Sequence, residues 1–155
     1  MSGEDLKTAT ESEVVPGEGY GGDVSPADAW AILEESPDAV LVDCRTQAEW
    51  EYVGVPDVRP LGKETIFVPW QVYPSMQANP EFTGQVKAAG AREDAPVLII
   101  CRSGSRSRSA AVKLTAEGFG HAYNVAHGFE GGHDENSHRG QKSGWKVSGL
   151  PWVQN

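Results

Sequence analysis

One cysteine in this sequence stands where nucleophilic chemistry would be favoured. Cys101 follows the apolar run Val97–Ile100 and opens the segment Cys-Arg-Ser-Gly-Ser-Arg-Ser-Arg, residues 101–108. An ordinary thiol has a pKa of about 8.5, so little of it is the reactive thiolate at neutral pH. Nearby guanidinium groups and the N–H groups of a helix start stabilise the thiolate and lower that pKa. The segment therefore predicts that Cys101 is a nucleophile that attacks an anionic substrate.

The residues after Cys101 predict a backbone loop that surrounds an anion. In a parallel α/β sheet, ligands bind beyond the carboxyl ends of the strands. Serine and glycine are small, so the loop N–H groups can approach a ligand closely, and the next helix adds its own N–H groups. Arg102 and Arg106 are expected to hold the substrate's oxygens through charge-assisted hydrogen bonds. The predicted substrate-binding residues are Arg102, Ser103, Gly104, Ser105, Arg106 and Ser107.

Several polar residues outside this loop are interpreted as structural. Cys44, in Val-Asp-Cys-Arg, follows an apolar run without a basic loop behind it, so a buried structural role is predicted. Glu49 is predicted to cap a helix, and Asp43 to bind a nearby N–H group or arginine. Arg108 falls inside a predicted helix, and a contact with substrate and a solvated or ion-paired side chain remain equally open.

Strands and helices alternate along the chain. Apolar runs predict strands at residues 39–42, 66–68, 97–100 and 122–125. Capping patterns predict helices that start at Ser25-Pro26, at Thr46 and at Asn79-Pro80, and a further helix from about residue 105 to 117. This alternation predicts an α/β fold with a mostly parallel sheet and helices on both faces.

The charge distribution predicts one domain preceded by an acidic tail. The chain has 155 residues and a formal net charge of -9, which disfavours binding to nucleic acid or to an anionic membrane. Residues 1–23 hold six acidic residues and one lysine and show no apolar periodicity, so a disordered tail is predicted there. Residues 24–155 are predicted to form a single domain, since no internal repeat is visible.

Cysteine content and targeting patterns favour a reducing compartment. Two cysteines are too few for a disulfide framework in a chain of this size. We find neither a signal-peptide pattern nor an apolar run of about 18 residues. We therefore expect a cytoplasmic protein with free thiols.

Four segments together resemble the rhodanese family of sulfurtransferases. The loop Cys-Arg-Ser-Gly-Ser-Arg is similar to the active-site loop of that family. The other three segments are residues 41–50, which resemble its strand-and-helix motif, residues 124–130, which resemble its Asn-Val-x-Gly-Gly segment, and residues 144–151, which resemble its closing motif. The resemblance covers about residues 23–152. It departs at residues 54–57, where relatives often have Gly-His-Ile-Pro-Gly, and at His127, where the first glycine of the Gly-Gly pair is expected.

The resemblance implies a fold and a reaction. The fold would be a three-layer α/β arrangement with a central, mostly parallel, five-stranded sheet flanked by helices. The Cys101 thiolate would attack the outer sulfur of thiosulfate, release sulfite and carry a persulfide, which a thiol or cyanide then takes up. The backbone of residues 102–107 would stabilise the terminal sulfur, and Arg102 and Arg106 would bind the sulfonate. No cofactor is implied.

Two other functions compete with this interpretation. A phosphatase or arsenate reductase of related fold needs a Cys-x5-Arg loop, whereas Cys101 and Arg106 form Cys-x4-Arg. A misplaced anion-binding group costs orders of magnitude in rate, so this function is disfavoured. A sulfur-relay or binding module that delivers persulfide to a partner protein is the closer alternative, because such a module could keep Cys101.

Histidines do not predict a metal site. The spacing of the four histidines matches no ligand motif; they are His121, His127, His133 and His138. No metal is therefore predicted. The glycine- and histidine-rich residues 131–138 are expected to form a loop near the carboxyl end of the sheet that could shape access to Cys101.

Overall fold

The computed structural model describes residues 15–72, 77–131 and 144–154. Its strands are β1 (Val15–Gly17), β2 (Tyr20–Val24), β3 (Val40–Asp43), β4 (Val55–Pro56), β5 (Ile66–Phe67), β6 (Gln71–Val72), β7 (Gln77–Ala78), β8 (Val97–Ile100), β9 (Ala122–Val125) and β10 (Trp152–Val153). Its helices are α1 (Pro26–Glu35), α2 (Gln47–Tyr52), α3 (Phe82–Ala88) and α4 (Ser105–Ala116), with a 3-10 turn at Arg59–Leu61. Within these ranges, no helix has both the length and the apolar character to cross a bilayer.

A six-stranded sheet with the order β1-β2-β9-β8-β3-β5 forms the centre of the fold. Its neighbouring strands run parallel, except that β1 pairs with β2 antiparallel. The predicted mostly parallel sheet of five strands is therefore confirmed, and β1 is added at one edge. Because β8 lies between β9 and β3, the ends of both neighbours flank the position of Cys101.

Apolar side chains cover both faces of the sheet and produce three layers. One cluster joins β3 and β8 to α3 and α4, and includes Val42, Cys44, Phe82, Val86, Val97, Ile99, Cys101, Ala110, Ala111 and Leu114. The opposite cluster joins the sheet to α1, and includes Val24, Ala29, Leu33, Leu41, Leu98, Ile100 and Val125. Strand β8 contributes to both clusters, which explains its uninterrupted apolar sequence.

The folded part of the chain begins earlier than the sequence predicts. Residues 15–23, assigned to an acidic tail, instead form β1 and most of β2, so the tail prediction is wrong for them. Residues 1–14 lie outside the described residues. Glycine in β2 has a packing role, because a Cβ atom on Gly21 would lie 2.7 Å from the Tyr123 ring. The low apolar content of this strand therefore reflects close packing against β9.

Two of the predicted helix starts are confirmed by their caps. The Ser25 side chain accepts a hydrogen bond from the Asp28 N–H group at 3.0 Å. Thr46 and Glu49 form a capping box, in which each side chain accepts a hydrogen bond from the other's N–H group. These bonds satisfy N–H groups that a helix start leaves without partners.

The predicted cap at Asn79 is wrong, because α3 begins at Phe82 with Glu81 as its cap residue. The Asn79 side chain instead accepts a hydrogen bond from the Glu81 N–H group at 3.0 Å and donates one to the Pro69 carbonyl at 3.0 Å. It forms a local turn ahead of the helix, which asparagine favours as strongly as a helix cap.

The segment after β9 supports the loop that follows Cys101. The N–H group of Phe129 donates to the Cys101 carbonyl at 2.8 Å, and that of Glu130 to the Arg102 carbonyl at 3.0 Å. His127 and Gly128 reach this position with φ values of 66° and 61°. A Cβ atom on Gly128 would lie 2.6 Å from the Arg102 carbonyl carbon. Glycine is therefore required there by close contact between the two backbones.

Replacing Gly128 with alanine tests this contact, and Gly62→Ala is its matched control. Gly62 has a similar φ of 74°, but its Cβ atom would meet nothing within 4 Å. Because both variants carry the same strain in φ, the difference between them reports the crowding. We expect Gly128→Ala to lose about 1–3 kcal/mol more unfolding free energy than Gly62→Ala, measured by urea denaturation. Equal losses would show that the loop moves aside at no cost.

Candidate active site

Cys101 lies immediately after β8, and α4 begins four positions later with Gly104 as its cap residue. The thiol is free and only 1% exposed. Gly104 has a φ of 111°, a conformation that glycine adopts at little cost. This turn directs the first N–H groups of the helix back towards the end of the strand.

Three hydrogen-bond donors converge on the Cys101 sulfur. The N–H groups of Gly104 and Ser107 approach Sγ at 3.1 and 3.3 Å, and the Ser107 hydroxyl approaches it at 3.1 Å. Gly104 and Ser107 are buried, so water competes little for these bonds. The loop is therefore shaped to hold negative charge on sulfur.

The second cysteine also contacts this sulfur. In the parallel pair β3–β8, Asp43 is in register with Ile100, so Cys44 and Cys101 are the next residues on adjacent strands. The Cys44 N–H group donates to the Ile100 carbonyl at 3.0 Å, and the Cys44 thiol forms a hydrogen bond with the Cys101 sulfur. The prediction that Cys44 is buried is confirmed, but its contact with Cys101 was not foreseen.

These contacts make Cys101 a thiolate at neutral pH. The Cys44 hydrogen bond is the largest cause that lowers the pKa of Cys101, and burial opposes it. The hydroxyl and N–H group of Ser107 and the N–H group of Gly104 lower the pKa further, to about 5. Burial, followed by the neighbouring Cys101, raises the pKa of Cys44 well above its usual value. Cys44 therefore stays protonated and donates its hydrogen to the thiolate.

Arg106 is bound to Glu49 of α2. Its two terminal nitrogens donate to the two carboxylate oxygens at 2.8 and 2.9 Å, and both side chains are less than one-fifth exposed. Burial alone would raise the pKa of Glu49, but the hydrogen bonds and charge of Arg106, with help from Thr46, lower it to about 2. Glu49 therefore compensates the charge of Arg106 and ties α2 to the Cys101 loop, in addition to its predicted role as a cap.

The remaining loop residues lie on the outside of the site. Arg102, Ser103 and Ser105 are exposed, while the Arg102 carbonyl is held by the segment after β9. Arg108 is also exposed, and its guanidinium group lies 4.0 Å from the Asp23 carboxylate. This position favours the interpretation of Arg108 as a solvated, ion-paired side chain.

A chain of hydrogen-bonded polar side chains leads from Cys101 to β2. The Ser107 hydroxyl lies between the Cys101 sulfur and the Asn124 side-chain oxygen. Asn124 donates to Asp23 at 2.9 Å, and the Tyr20 hydroxyl donates to the same carboxylate oxygen at 2.8 Å. Because Ser107 carries one hydroxyl proton, it can donate to the sulfur or to Asn124 as the charge on sulfur changes. Asn124 belongs to a motif of the resemblance, but this link was not predicted.

Asp43 and Arg45 form a buried ion pair below the site. Their closest atoms are 2.7 Å apart and both side chains are fully buried. The Arg45 guanidinium group also donates to the Gly54 carbonyl at 2.7 Å and lies 4.4 Å from the centre of the Phe129 ring. The prediction that Asp43 is a local partner for an arginine is confirmed. The pair supports the backbone that holds the Cys101 carbonyl.

Metal ligands do not cluster in the described part of the chain. Within residues 15–72, 77–131 and 144–154, no group of three or more histidine, cysteine, aspartate or glutamate side chains is placed to hold an ion. His133 and His138 lie outside these residues, as does nearly all of the predicted loop at 131–138.

Comparison with known proteins identifies the family of the chain. A family model described as the STR4 middle domain matches residues 21–155. The crystal structure of Rv0390 from M. tuberculosis is 44% identical, covers 88% of this chain and 99% of its own, and superposes with a TM-score of 0.80. The chloroplastic protein THYLAKOID RHODANESE-LIKE of Oryza sativa subsp. indica is 30% identical over 136 residues, which are 85% of this chain and 25% of that protein.

The chain belongs to the rhodanese-like family, with the STR4 middle domain as its matching model. A further relative, a protein of Actinobacillus pleuropneumoniae named thiosulfate sulfurtransferase GlpE, is 28% identical over 129 residues, 83% of this chain and 90% of its own. The sheet, the Cys101 loop and Gly128 therefore belong to a rhodanese-like domain, the family that the four sequence motifs resemble.

Replacing Cys44 tests whether its thiol controls the Cys101 charge in this rhodanese-like domain. Cys44→Ala removes the hydrogen-bond donor, whereas Cys44→Ser keeps one. A hydrogen bond to a charged group contributes about 1.5–3 kcal/mol, and one pKa unit corresponds to about 1.4 kcal/mol. We expect Cys44→Ala to raise the pKa of Cys101 by about 1–2 units, with a smaller change for Cys44→Ser. The measurement is ultraviolet thiolate absorbance against pH, with Cys101→Ser as the blank. An unchanged pKa in a folded Cys44→Ala variant would contradict this role.

Proposed function

We propose that this protein is a sulfurtransferase that moves sulfane sulfur from thiosulfate, or a related donor, to a thiophilic acceptor through a persulfide on Cys101. The observation that carries the proposal is the buried Cys101 thiolate between β8 and α4, with Gly104 and Ser107 donating hydrogen bonds to its sulfur. The relative named thiosulfate sulfurtransferase supports thiosulfate as the donor.

The first half-reaction loads sulfur onto Cys101. The thiolate attacks the outer sulfur of thiosulfate, a new S–S bond forms, and the old S–S bond breaks as sulfite leaves with the electron pair. The negative charge then lies on the terminal sulfur, inside the loop. The N–H groups of Ser105 and Arg106 belong to the first helical turn, where N–H groups lack intrahelical partners. They are therefore available to stabilise the terminal sulfur, beside the Ser107 N–H group that already donates to Sγ.

The second half-reaction unloads the sulfur. A thiol or cyanide attacks the terminal sulfur, and Cys101 leaves as a thiolate. A thiol of low pKa is a good leaving group, so the hydrogen bonds that activate Cys101 for attack also favour its departure. The same intermediate would serve a protein acceptor, and a sulfur-relay function differs from this proposal only in the acceptor.

Two arginines are proposed to bind the sulfonate of the donor. Arg102 is exposed beside the site, and Arg106 lies in the first turn of α4, where it forms an ion pair with Glu49. This ion pair fixes the direction of the Arg106 guanidinium group before a sulfur donor binds. A phosphatase is less well supported, because two loop N–H groups are directed at Sγ itself within the shorter Cys-x4-Arg loop.

Loss of Cys101 tests the proposed nucleophile. We expect Cys101→Ser to lower thiosulfate:cyanide turnover by more than about a thousandfold, since the hydroxyl cannot form the persulfide. Cys44→Ser is the matched control and should keep most of the turnover, because it leaves the nucleophile and a donor in place. Thiocyanate formation is the measurement. Full activity in Cys101→Ser would refute the proposal.

Replacing Arg106 tests sulfonate binding. Since Arg106→Ala alone would leave Glu49 unpaired, the variant is made together with Glu49→Gln, which still caps α2. A charge-assisted hydrogen bond contributes about 1.5–3 kcal/mol, so we expect the KM for thiosulfate to rise about tenfold over Glu49→Gln alone. The KM for an uncharged organic trisulfide should change little, and Arg108→Ala in the same background is the control. Equal losses with both donors would contradict sulfonate binding by Arg106.

A further inference from the structure

Cys44 is a second thiol that the proposed transfer does not use. It lies one residue beyond the Asp43–Ile100 register pair on β3, directly beside Cys101. Neighbouring strands are about 4.8 Å apart, and disulfides join Cα atoms about 4.4–6.8 Å apart. Hydrogen bonds to the backbone hold both cysteines, from Trp70 N–H to the Cys44 carbonyl at 3.0 Å and from Phe129 N–H to the Cys101 carbonyl at 2.8 Å. Because the spacing of neighbouring strands already falls in the range that a disulfide needs, a bond between the two sulfurs would require little backbone movement.

The residues that contact the Cys101 sulfur approach it from different sides. Gly104 and Ser107 reach it from the loop and from α4, whereas Cys44 reaches it from the adjacent strand within the same apolar cluster. A terminal sulfur that lies in the loop would be stabilised by the loop N–H groups. Cys44, which is fully buried behind the site, would then face the inner sulfur of the persulfide.

We propose that Cys44 resolves the Cys101 persulfide and releases sulfide, so that the protein also reduces the sulfane sulfur of its donor. The proposal rests on the sulfur-loading step of the proposed function. The Cys44 sulfur attacks the inner sulfur, Sγ of Cys101. A Cys44–Cys101 disulfide forms, and the bond between Sγ and the terminal sulfur breaks.

Atoms and electrons balance in this step. The sulfane sulfur takes both electrons of the broken bond and is reduced to sulfide, while the two cysteine sulfurs are oxidised to a disulfide. The Cys44 proton passes to the terminal sulfur, so that the leaving group is hydrosulfide. A low-molecular-weight dithiol then reduces the disulfide to restore both thiols.

Transfer of the sulfane sulfur to Cys101 makes the Cys44 thiol easier to deprotonate. The negatively charged sulfur of Cys101 contributes to the raised pKa of Cys44, after burial. Once Sγ is part of a persulfide, it no longer carries that charge, and Cys44 loses its proton more readily. Burial still opposes ionisation, so resolution is slower than loading. External acceptors therefore compete for the terminal sulfur, and sulfide is released when they are scarce.

A single-turnover experiment separates the two steps. Reduced wild-type protein and Cys44→Ser are each mixed anaerobically with one equivalent of thiosulfate, without cyanide or thiol. Sulfite reports loading and sulfide reports resolution. Intact mass then shows the state of the cysteines, and a sample without thiosulfate controls for oxidation by other routes.

The proposal makes different predictions for the two proteins. Wild-type protein should release one equivalent each of sulfite and sulfide, lose two hydrogens in mass, and yield a peptide that joins Cys44 to Cys101. Cys44→Ser should release sulfite without sulfide and keep one added sulfur on Cys101. If wild-type protein also keeps the added sulfur and releases no sulfide, Cys44 does not resolve the persulfide.

Failure of the sulfur-loading proposal would look different. If neither protein releases sulfite, thiosulfate is not a donor. The wild-type protein and Cys44→Ser are then treated with inorganic polysulfide instead, and desalted. A disulfide in the wild type and a persulfide in Cys44→Ser would still support resolution. A persulfide in both would overturn resolution alone, and no added sulfur in either would overturn both proposals.

Discussion

A negative charge on one buried sulfur atom is the constraint around which the site is built. Cys101 is almost wholly buried, and burial by itself raises the pKa of a thiol. The charge persists because every described donor around it is placed by the fold: Cys44 by the register of β3 with β8, and Gly104 and Ser107 by the turn into α4. The central strand and the helix after it therefore determine the chemistry of the sulfur.

Two longer connections hold this arrangement in place. The ion pair between Glu49 and Arg106 joins residues 57 positions apart and fixes α2 against the first turn of α4. On the other side, Asp23 on β2 accepts a hydrogen bond from Asn124, which contacts Ser107. Disturbing either connection would move a donor or a charge near Cys101 without touching the sulfur directly.

Local patterns predict much of this structure, whereas contacts between distant segments are harder to foresee. The apolar run of β8, the Ser25 cap, the capping box at Thr46 and the loop after Cys101 each follow from neighbouring residues. Contacts of Cys44 with Cys101 and of Glu49 with Arg106 depend on strand register and helix placement, which residue types alone do not specify. Strand β2, and β1 which pairs with it, were missed because glycine packing in β2 replaces the apolar alternation that usually marks a strand.

The rate of sulfite release in a single turnover with thiosulfate, measured against pH, tests the central claim most directly. Since the pKa of Cys101 is lowered to about 5, the thiolate is fully formed well above that pH. The rate should therefore be nearly constant through the neutral range. It should fall as the pH is lowered into the acidic range, with a midpoint near pH 5. A rate that instead rises about tenfold per pH unit through neutrality, up to about pH 8.5, would show that Cys101 is an ordinary thiol and would contradict this account.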